Sequence, residues 1–316
     1  MKTIFRKELA DIFSSTRFLI LIILAILISA ATLYTDYLGI RGATDTEFVF
    51  LRLYTTVTGD IPALFGFLNF MALFFIPIIG IALGFDAISS ERNSGTLSRI
   101  LSQPIYRDSV INAKFLAGLV TLSVVVVTTV LLIAGFGLRL IGIPPSAEEA
   151  YRLIIYVFYT IVYGAFWMVL AILFSTIFRR MATPLLASIS LWLFFGFFFI
   201  FMIAPGLANA FAPVTEGTAE AVISNLELRS ALLRLSPNFL FLEAATALLE
   251  PPVVGSLLGV IGVIASGQAQ WMIPSSLSMG QTLLLIWPHL TGLLAVTIIG
   301  FAASYVIFMR QEIRPN

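Results

Sequence analysis

The sequence predicts an all-α integral membrane protein, and three observations lead to that prediction. Hydrophobic residues make up 59% of the 316 positions, charged residues make up only 11%, and the mean hydropathy is +1.02. Average soluble domains carry about 25% charged residues, so a soluble chain of this length would lack the polar side chains needed to face water. The apolar residues also gather in uninterrupted runs of about 20, the length that a helix needs to cross a bilayer.

Six uncharged windows have the required length, and each is predicted to form a transmembrane helix. They are Phe18–Thr35, Ile61–Phe85, Phe115–Leu138, Leu153–Phe178, Met181–Ile203 and Gln281–Met309. A further apolar run, Val253–Ala265, is short and is bracketed by proline and glycine, which favours a re-entrant or interfacial segment over a span. Six spans are therefore expected, with seven as the alternative.

Lysine and arginine predict the orientation, because these residues accumulate in cytoplasmic loops. With six spans, twelve of the 18 basic residues lie on the side of the two termini and six lie on the other side. Both termini are therefore expected in the cytoplasm, in a multi-pass protein of the plasma membrane surrounded by lipid. The basic residues are spread along the chain, so nucleic acid is not expected as a partner.

Residues 1–17 are predicted to form an interfacial helix ahead of the first span. Their apolar side chains share one helical face, which consists of Ile4, Phe5, Leu9, Ile12 and Phe13. The alternative is that these residues are only the charged beginning of an uncleaved membrane anchor.

The loop 86–114 concentrates charge between two apolar spans, on the side predicted to be cytoplasmic. A glycine, an apolar repeat at helical spacing and a proline follow one another in it, at Gly95, Leu97, Ile100, Leu101 and Pro104. This pattern predicts a short amphipathic helix that ends at the proline, with Asp108 as the N-cap of the next helix. A push on such a helix would reach the two spans that it joins. The alternative is a loop whose positive charge only sets the orientation.

The same loop carries a pattern of the form E-R-x-x-G-T-L, followed by leucine, proline, arginine and lysine. Its residues are Asp86-Ala87-Ile88, Glu91-Arg92, Gly95-Thr96-Leu97, Leu101, Pro104, Arg107 and Lys114. This pattern resembles the cytoplasmic loop of ABC-2-type transporter permeases, most closely the subgroup that contains the permease of the nitrous-oxide reductase maturation system. The resemblance implies a coupling helix that docks into a separate ATPase subunit. Its implied contacts are Glu91, Arg92, Gly95, Thr96, Leu97, Arg99 and Leu101, with Pro104 and Arg107 at the end of the helix.

The resemblance further implies a single transmembrane domain over residues 1–316 and an outer helical or re-entrant region at 205–280. It implies an exporter in which two copies of the chain, expected to be a homodimer, work with two ATPase subunits. ATP and Mg would bind to those partners. The residues themselves agree, because a P-loop ends in glycine and lysine, and none of Lys2, Lys7 and Lys114 follows a glycine. This chain is therefore not expected to be an enzyme or to hold a cofactor or metal.

Other candidate functions would each require particular residues. An intramembrane enzyme or a proton- or sodium-driven carrier would need ionisable groups at depth, and none lies near the centre of a predicted span. His289 is the only histidine, which excludes zinc sites of the HExxH type, and it is expected to be an interfacial anchor. The Phe-rich run Leu191–Pro205 could face lipid or an apolar substrate, and the region 205–280 could be a lid or a structural cap. The alternative function is a permease-like scaffold or secondary carrier without an ATPase partner.

Overall fold

The computed structural model describes residues 1–40, 48–55, 67–96, 106–180, 182–214, 218–251 and 277–311. Over these ranges the regular structure is helical, with no strand. Within these ranges six helices are long and apolar enough to cross a membrane, in agreement with the six predicted windows, and a bent helix pair would add a seventh if it were one broken span. Numbered as spans 1 to 6, they are Thr16–Ile40, Phe67–Asn93, Arg107–Ile141, Ala147–Ile177, Ala182–Phe211 and Met279–Arg310.

Outside the spans the described residues form three α-helices and one short 3-10 helix, Leu51–Tyr54. The first α-helix, Lys2–Phe13, is the predicted N-terminal helix; it has no buried residue and packs along span 3. The other two α-helices, Ala219–Leu233 and Pro237–Leu249, are called the helix pair below. They have 15 and 13 residues, fewer than the about 20 that a helix needs to cross a bilayer, and they meet at an angle of 111°. The predicted re-entrant run Val253–Ala265 lies outside the described residues.

The helix ends follow local sequence signals. Span 4 begins with a capping box between Ser146 and Glu149, and span 6 begins with one between Ser278 and Gln281. Span 3 ends at Gly142, whose φ of 75° is left-handed and suits a residue without a Cβ atom. The prediction that Asp108 is an N-cap was wrong. The helix already begins after Tyr106, and the Asp108 carboxylate accepts a hydrogen bond from the Ser109 N–H within the first turn.

Spans 2 and 4 form the centre of the bundle. In their most apolar windows 67% of the residues are buried, against 17% in span 5 and 22% in spans 1 and 6. Span 4 packs against spans 2, 3, 5 and 6 and against the second helix of the pair. On that last contact the Phe241 ring stacks on Tyr163 at 4.4 Å and on Tyr159 at 5.6 Å, so the helix pair is anchored to the central span by aromatic packing.

Spans 2 and 5 each contain a π-helical segment, at Met71–Phe75 and Phe194–Ile203. Carbonyl oxygens in these segments accept bonds from side chains of other helices, which matters where no water is present. The Tyr163 hydroxyl donates to Ala72 O at 2.6 Å, and the Trp192 indole donates to Leu73 O at 2.6 Å. Ser236, just before the second helix of the pair, donates to a carbonyl of the span 5 segment at 3.0 Å.

Candidate functional site

Polar side chains from several helix ends meet at one end of the bundle and form what we call the polar junction. Its members are Lys7, Glu8, Arg17, Asp86, Glu91, Arg92, Arg107, Lys114 and Gln311. They come from the N-terminal helix, the start of span 1, the end of span 2, the start of span 3 and the residue after span 6. The sequence assigned the basic members to one side of the membrane, and in the structure they lie at one end of the bundle.

Lys114 joins the first turns of span 3 to two other elements. Its side chain is only 8% exposed, and its Nζ lies 2.9 Å from Glu8 Oε2 and 2.8 Å from Glu91 Oε1. A buried ammonium group is costly unless carboxylates replace the water that it has lost. Span 3 is therefore tied by one cation to both the N-terminal helix and the end of span 2.

Arg92 and Arg107 tie the end of span 6 to the junction. The Arg92 guanidinium donates to the side chain of Gln311 and, at 3.3 Å, to the carbonyl of Thr176 at the end of span 4. Gln311 in turn donates to the same Thr176 carbonyl at 2.6 Å, and Arg107 donates to the backbone carbonyl of Gln311 at 3.0 Å. Four spans are thus connected through one glutamine and two arginines.

The turn that interrupts span 2 at residues 85–88 is held from both sides. The hydroxyl oxygen of Ser175 on span 4 accepts bonds from the N–H groups of Ile88 and Ser89, each at 3.0 Å. On the other side Arg17 pairs with Asp86 at 2.5 Å and lies over the Phe85 ring. The end of span 2 therefore has a defined position relative to spans 1 and 4.

Beyond Asn93 the chain leaves the bundle at an exposed turn. Gly95 has a φ of 69°, and a Cβ atom on it would meet no atom of the described residues within 4 Å. The Thr96 hydroxyl donates back to Glu91 O at 3.3 Å and lies 2.8 Å from the Ser94 hydroxyl. The turn is therefore built by backbone geometry and short polar side chains, with its surface open to a partner.

The predicted coupling residues fall into two groups in the structure. The side chains of Glu91, Arg92 and Arg107 contact other helices, whereas Gly95 and Thr96 lie on the exposed turn. The others lie outside the described residues; they are Leu97, Arg99, Leu101 and Pro104. Sequence reasoning missed Glu8 and Gln311. No local pattern could have identified Gln311, because its contact with Arg92 joins positions 219 apart in the chain.

Comparison with known proteins now assigns the family. A family model described as "ABC-2 family transporter protein" matches residues 2–313, nearly the whole chain. The chain belongs to the ABC-2 transporter family. The probable ABC transporter permease protein NosY of Pseudomonas aeruginosa is 28% identical over 151 residues. That similarity covers 47% of this chain and 48% of NosY, so it spans about half the length of the relative.

At the opposite end of the bundle, this ABC-2 protein buries one arginine completely. Arg152, in the second turn of span 4, donates to the Leu277 carbonyl at 2.6 Å, to Thr282 at 3.1 Å, and to Glu148 at 2.7 Å. It also donates to two carbonyls at the C-terminal end of the helix pair, where the last turn leaves acceptors without intrahelical partners. The sequence placed Arg152 in a loop before span 4. In the structure the capping box begins the helix earlier, so Arg152 is helical and its side chain points inward.

His289 was predicted to be an interfacial anchor of the ABC-2 protein, and that prediction was wrong. Its side chain is only 6% exposed, its Nε2 lies 2.6 Å from Glu243 Oε2, and its Nδ1 lies 3.0 Å from the Leu285 carbonyl. Glu243 also binds Arg234 through both carboxylate oxygens, at 2.6 and 3.0 Å. One carboxylate therefore links both helices of the pair to span 6.

Glu243→Gln is expected to destabilise the ABC-2 protein in a pH-dependent way. Partial burial alone would raise the pKa of Glu243, but hydrogen bonds and charges from His289 and Arg234 outweigh burial and lower its pKa to about 2. A carboxyl group with a lowered pKa adds stability above its unfolded pKa and loses that contribution as pH falls. The melting temperature of wild type should exceed that of the variant at pH 6, and the gap should shrink from about pH 4.5 downward.

Glu227→Gln is the matched control for this measurement, because Glu227 is exposed on the first helix of the pair. Its melting temperature should follow wild type at every pH. A gap between wild type and Glu243→Gln that stays constant from pH 6 to pH 3 would contradict the assignment of a shared carboxylate.

Proposed function

We propose that this chain is the membrane subunit of an ATP-driven ABC exporter in the plasma membrane, with both termini in the cytoplasm. Two copies pair around a central path, and two ATPase subunits dock at the end that carries the polar junction. ATP binding closes the ATPase pair and pushes on the segment from Gly95 to Gln103. Spans 2 and 3 then tilt and open the path outward.

The observation that carries this proposal is that the two ends of the segment are joined inside the chain. Glu91 before the segment is paired with Lys114 after it, and Arg92 and Arg107 meet on Gln311. A force on the segment therefore cannot move span 2 without also moving span 3, span 6 and the N-terminal helix. A loop that served only to set orientation would not need these connections.

The contacts also support two different roles among the proposed coupling residues. Glu91, Arg92 and Arg107 hold the segment in place, because their side chains are engaged by neighbouring spans. The docking surface itself is assigned to Gly95, Thr96, Leu97, Arg99 and Leu101, with Pro104 ending the coupling helix. The turn at Gly95 supports this assignment because it is exposed.

The proposed pairing of two copies is supported by the uneven burial of the spans. Spans 1, 5 and 6 leave most of their apolar surface uncovered, with 17% to 22% of the residues in their most apolar windows buried. Lipid covers part of such a surface, and a second copy would cover the rest. The similarity to NosY, a probable ABC transporter permease, supports the role of a permease subunit.

Affinity purification of the tagged chain from its native membrane in mild detergent tests the proposal. Mass spectrometry should identify an ATPase with Walker motifs in an amount comparable to that of the chain. A preparation that is intact and monodisperse but contains no ATPase would contradict the proposal and would favour a permease-like scaffold or a carrier.

Gly95→Val is expected to weaken coupling without preventing folding. A valine at φ 69° costs about 1–2 kcal/mol, because its Cβ atom crowds the backbone, yet none of the described residues lies within 4 Å of that Cβ. The docking turn should shift, and the amount of ATPase that co-purifies with the chain should fall by about 5- to 30-fold. Abundance in the membrane should stay near wild type.

Gly142→Val is the matched control, because Gly142 also has a left-handed φ, of 75°, and also has open space around it. It ends span 3 at the opposite end of the bundle, so the same backbone strain should leave ATPase recovery unchanged. Equal ATPase recovery from wild type and Gly95→Val would contradict the docking role.

A further inference from the structure

Residues 48–55, which follow span 1 in the chain, enter the bundle at the end opposite the polar junction, called the outer end below. Four of their side chains are at most 3% exposed, and these are Phe50, Leu51, Leu53 and Tyr54. The Tyr54 hydroxyl donates to the Val130 carbonyl at 3.0 Å, and Val130 lies about three turns inside span 3. Residues 48–55 therefore fill space between the spans, and we call them the wedge.

The wedge fits closely against three spans. It packs along span 1, and a Cβ atom at Gly137 of span 3 would collide with the Leu53 side chain. The Tyr54 ring meets the Phe67 ring edge-on, at the first residue of span 2, with 5.5 Å between the centroids. The position of the wedge therefore determines how closely the outer parts of spans 1, 2 and 3 approach one another.

Two charged side chains of span 4 hold the wedge from the other side. Glu149 is 6% exposed; its Oε1 accepts from the Phe50 N–H at 2.9 Å, and its Oε2 accepts from the Ser146 N–H at 2.8 Å. The capping box requires only the second of these bonds, so the first serves to hold the wedge. One turn later the Arg152 guanidinium lies over the Phe48 ring, 5.4 Å from its centroid. Because the same guanidinium also binds the helix pair and span 6, the wedge is connected to both.

The first residue of the wedge has a strained backbone conformation. Phe48 has a φ of 53°, and within the described part of the chain it is the one residue other than glycine with a left-handed φ. In that region the Cβ atom crowds a carbonyl oxygen, so the conformation persists only where surrounding contacts enforce it. The contacts with Glu149 and Arg152 and the strain at Phe48 therefore act in opposite directions. Release of the strain lowers the free energy that is needed to move the wedge out.

We propose that the wedge is a releasable part of the outer end, which leaves the bundle when the outer parts of the spans separate and returns when they close. Glu149 and Arg152 hold it in the closed state, and relief of the strain at Phe48 favours its release. Opening of the outer end belongs to the proposed export cycle, on which this inference rests. Exchange of the wedge between two positions is a property of the chain itself and can be measured without an ATPase.

Thiol labelling of the purified chain measures release of the wedge. The chain has no cysteine, so Leu53→Cys introduces a single thiol, at a position that is 1% exposed. A water-soluble maleimide is added to the protein in detergent, and the labelled fraction is followed by intact mass spectrometry. Ile286→Cys is the matched control, because Ile286 is 2% exposed in the outer part of span 6 and reports opening of the bundle as a whole. Leu53→Cys should be labelled at least about tenfold faster, since release of the wedge does not require the bundle to unfold.

Substitutions at Glu149 and Phe48 should change this rate in opposite directions. Glu149→Gln keeps one carbonyl oxygen for the capping box but removes the acceptor of the Phe50 N–H, so labelling of Leu53→Cys should become about tenfold faster. Phe48→Ala and Phe48→Gly both remove the ring from Arg152, but only glycine removes the strain. Labelling should therefore be about three- to tenfold slower in Phe48→Gly than in Phe48→Ala.

Three results would overturn the proposal. Equal labelling of Leu53→Cys and Ile286→Cys would show that the wedge opens only with the whole bundle. Equal acceleration of both by Glu149→Gln would indicate a general loss of stability, and equal rates in the two Phe48 variants would contradict the role of strain.

The complex with an ATPase tests the place of the wedge in the export cycle. Adding ATP should raise the labelling rate of Leu53→Cys at least about fivefold. An unchanged rate in a complex that hydrolyses ATP would contradict the link between the wedge and export, although the chain would still be an ATPase-coupled subunit. Absence of any ATPase from the native membrane would instead contradict the proposed function and would leave the labelling of the chain alone unaffected.

Discussion

Arg152→Ala is expected to lower the melting temperature of the purified protein by about 6 °C or more. Removing one member of a buried, hydrogen-bonded charged set costs about 3–5 kcal/mol. Each kcal/mol corresponds to about 2–4 °C for a protein of 150–250 residues. The substitution would leave the carbonyls of Leu277, Ala247 and Leu248 without their donor, because all three accept from the same guanidinium. Differential scanning fluorimetry in detergent measures the shift.

The chain offers two comparisons for this experiment. Arg139→Ala removes an exposed arginine at the same end of the bundle and should change the melting temperature by less than about 1 °C. Arg152→Lys keeps the charge but replaces the planar fork with a single ammonium, which cannot reach acceptors on three elements at once. The decrease in melting temperature caused by Arg152→Lys should lie between those caused by the other two variants. A melting temperature of Arg152→Ala close to that of Arg139→Ala would contradict the role of Arg152 as the link between span 4, the helix pair and span 6.

Gly84→Val is expected to prevent correct packing of spans 2 and 4, with loss of most of the monodisperse protein. A Cβ atom at Gly84 would collide with the Met168 carbonyl, and one at Gly80 would lie 2.6 Å from the Gly164 carbonyl. Both obstacles are backbone atoms of the central span, so relief requires the helices to separate. The two glycines are four residues apart, the spacing by which small residues let membrane helices approach closely.

Size-exclusion chromatography of a fluorescently tagged chain measures this effect from crude membranes. Gly135→Val is the matched control, because Gly135 lies in span 3 and would meet no atom within 4 Å. Its elution profile should match that of wild type, whereas Gly84→Val should move into aggregate. Overpacking commonly costs about 1–3 kcal/mol where side chains can yield, and the cost here is expected to exceed that range because the backbone cannot. Matching profiles for the two variants would argue against close packing of spans 2 and 4.

The six candidate spans of the described residues and many of the helix ends could be predicted from the chain. Long apolar runs without charge leave the backbone only one way to satisfy its hydrogen bonds in lipid, which is to form helices. Ser146 and Ser278 begin helices because a hydroxyl three positions before Glu149 or Gln281 satisfies free N–H groups within one turn. The grouping of basic residues at one end also follows from the alternation of spans.

The pairing of the polar residues was decided only by the tertiary structure. The chain does not encode locally that Lys114 meets Glu8 and Glu91, that Arg152 binds carbonyls of the helix pair, or that His289 is buried against Glu243. Each of these contacts joins helices that are distant in sequence and adjacent only after the bundle has packed. Hydrophobicity acts on each segment by itself and therefore determines which residues enter the membrane. Hydrogen bonds and ion pairs act over a few ångströms, so their partners are determined by how the spans pack against one another.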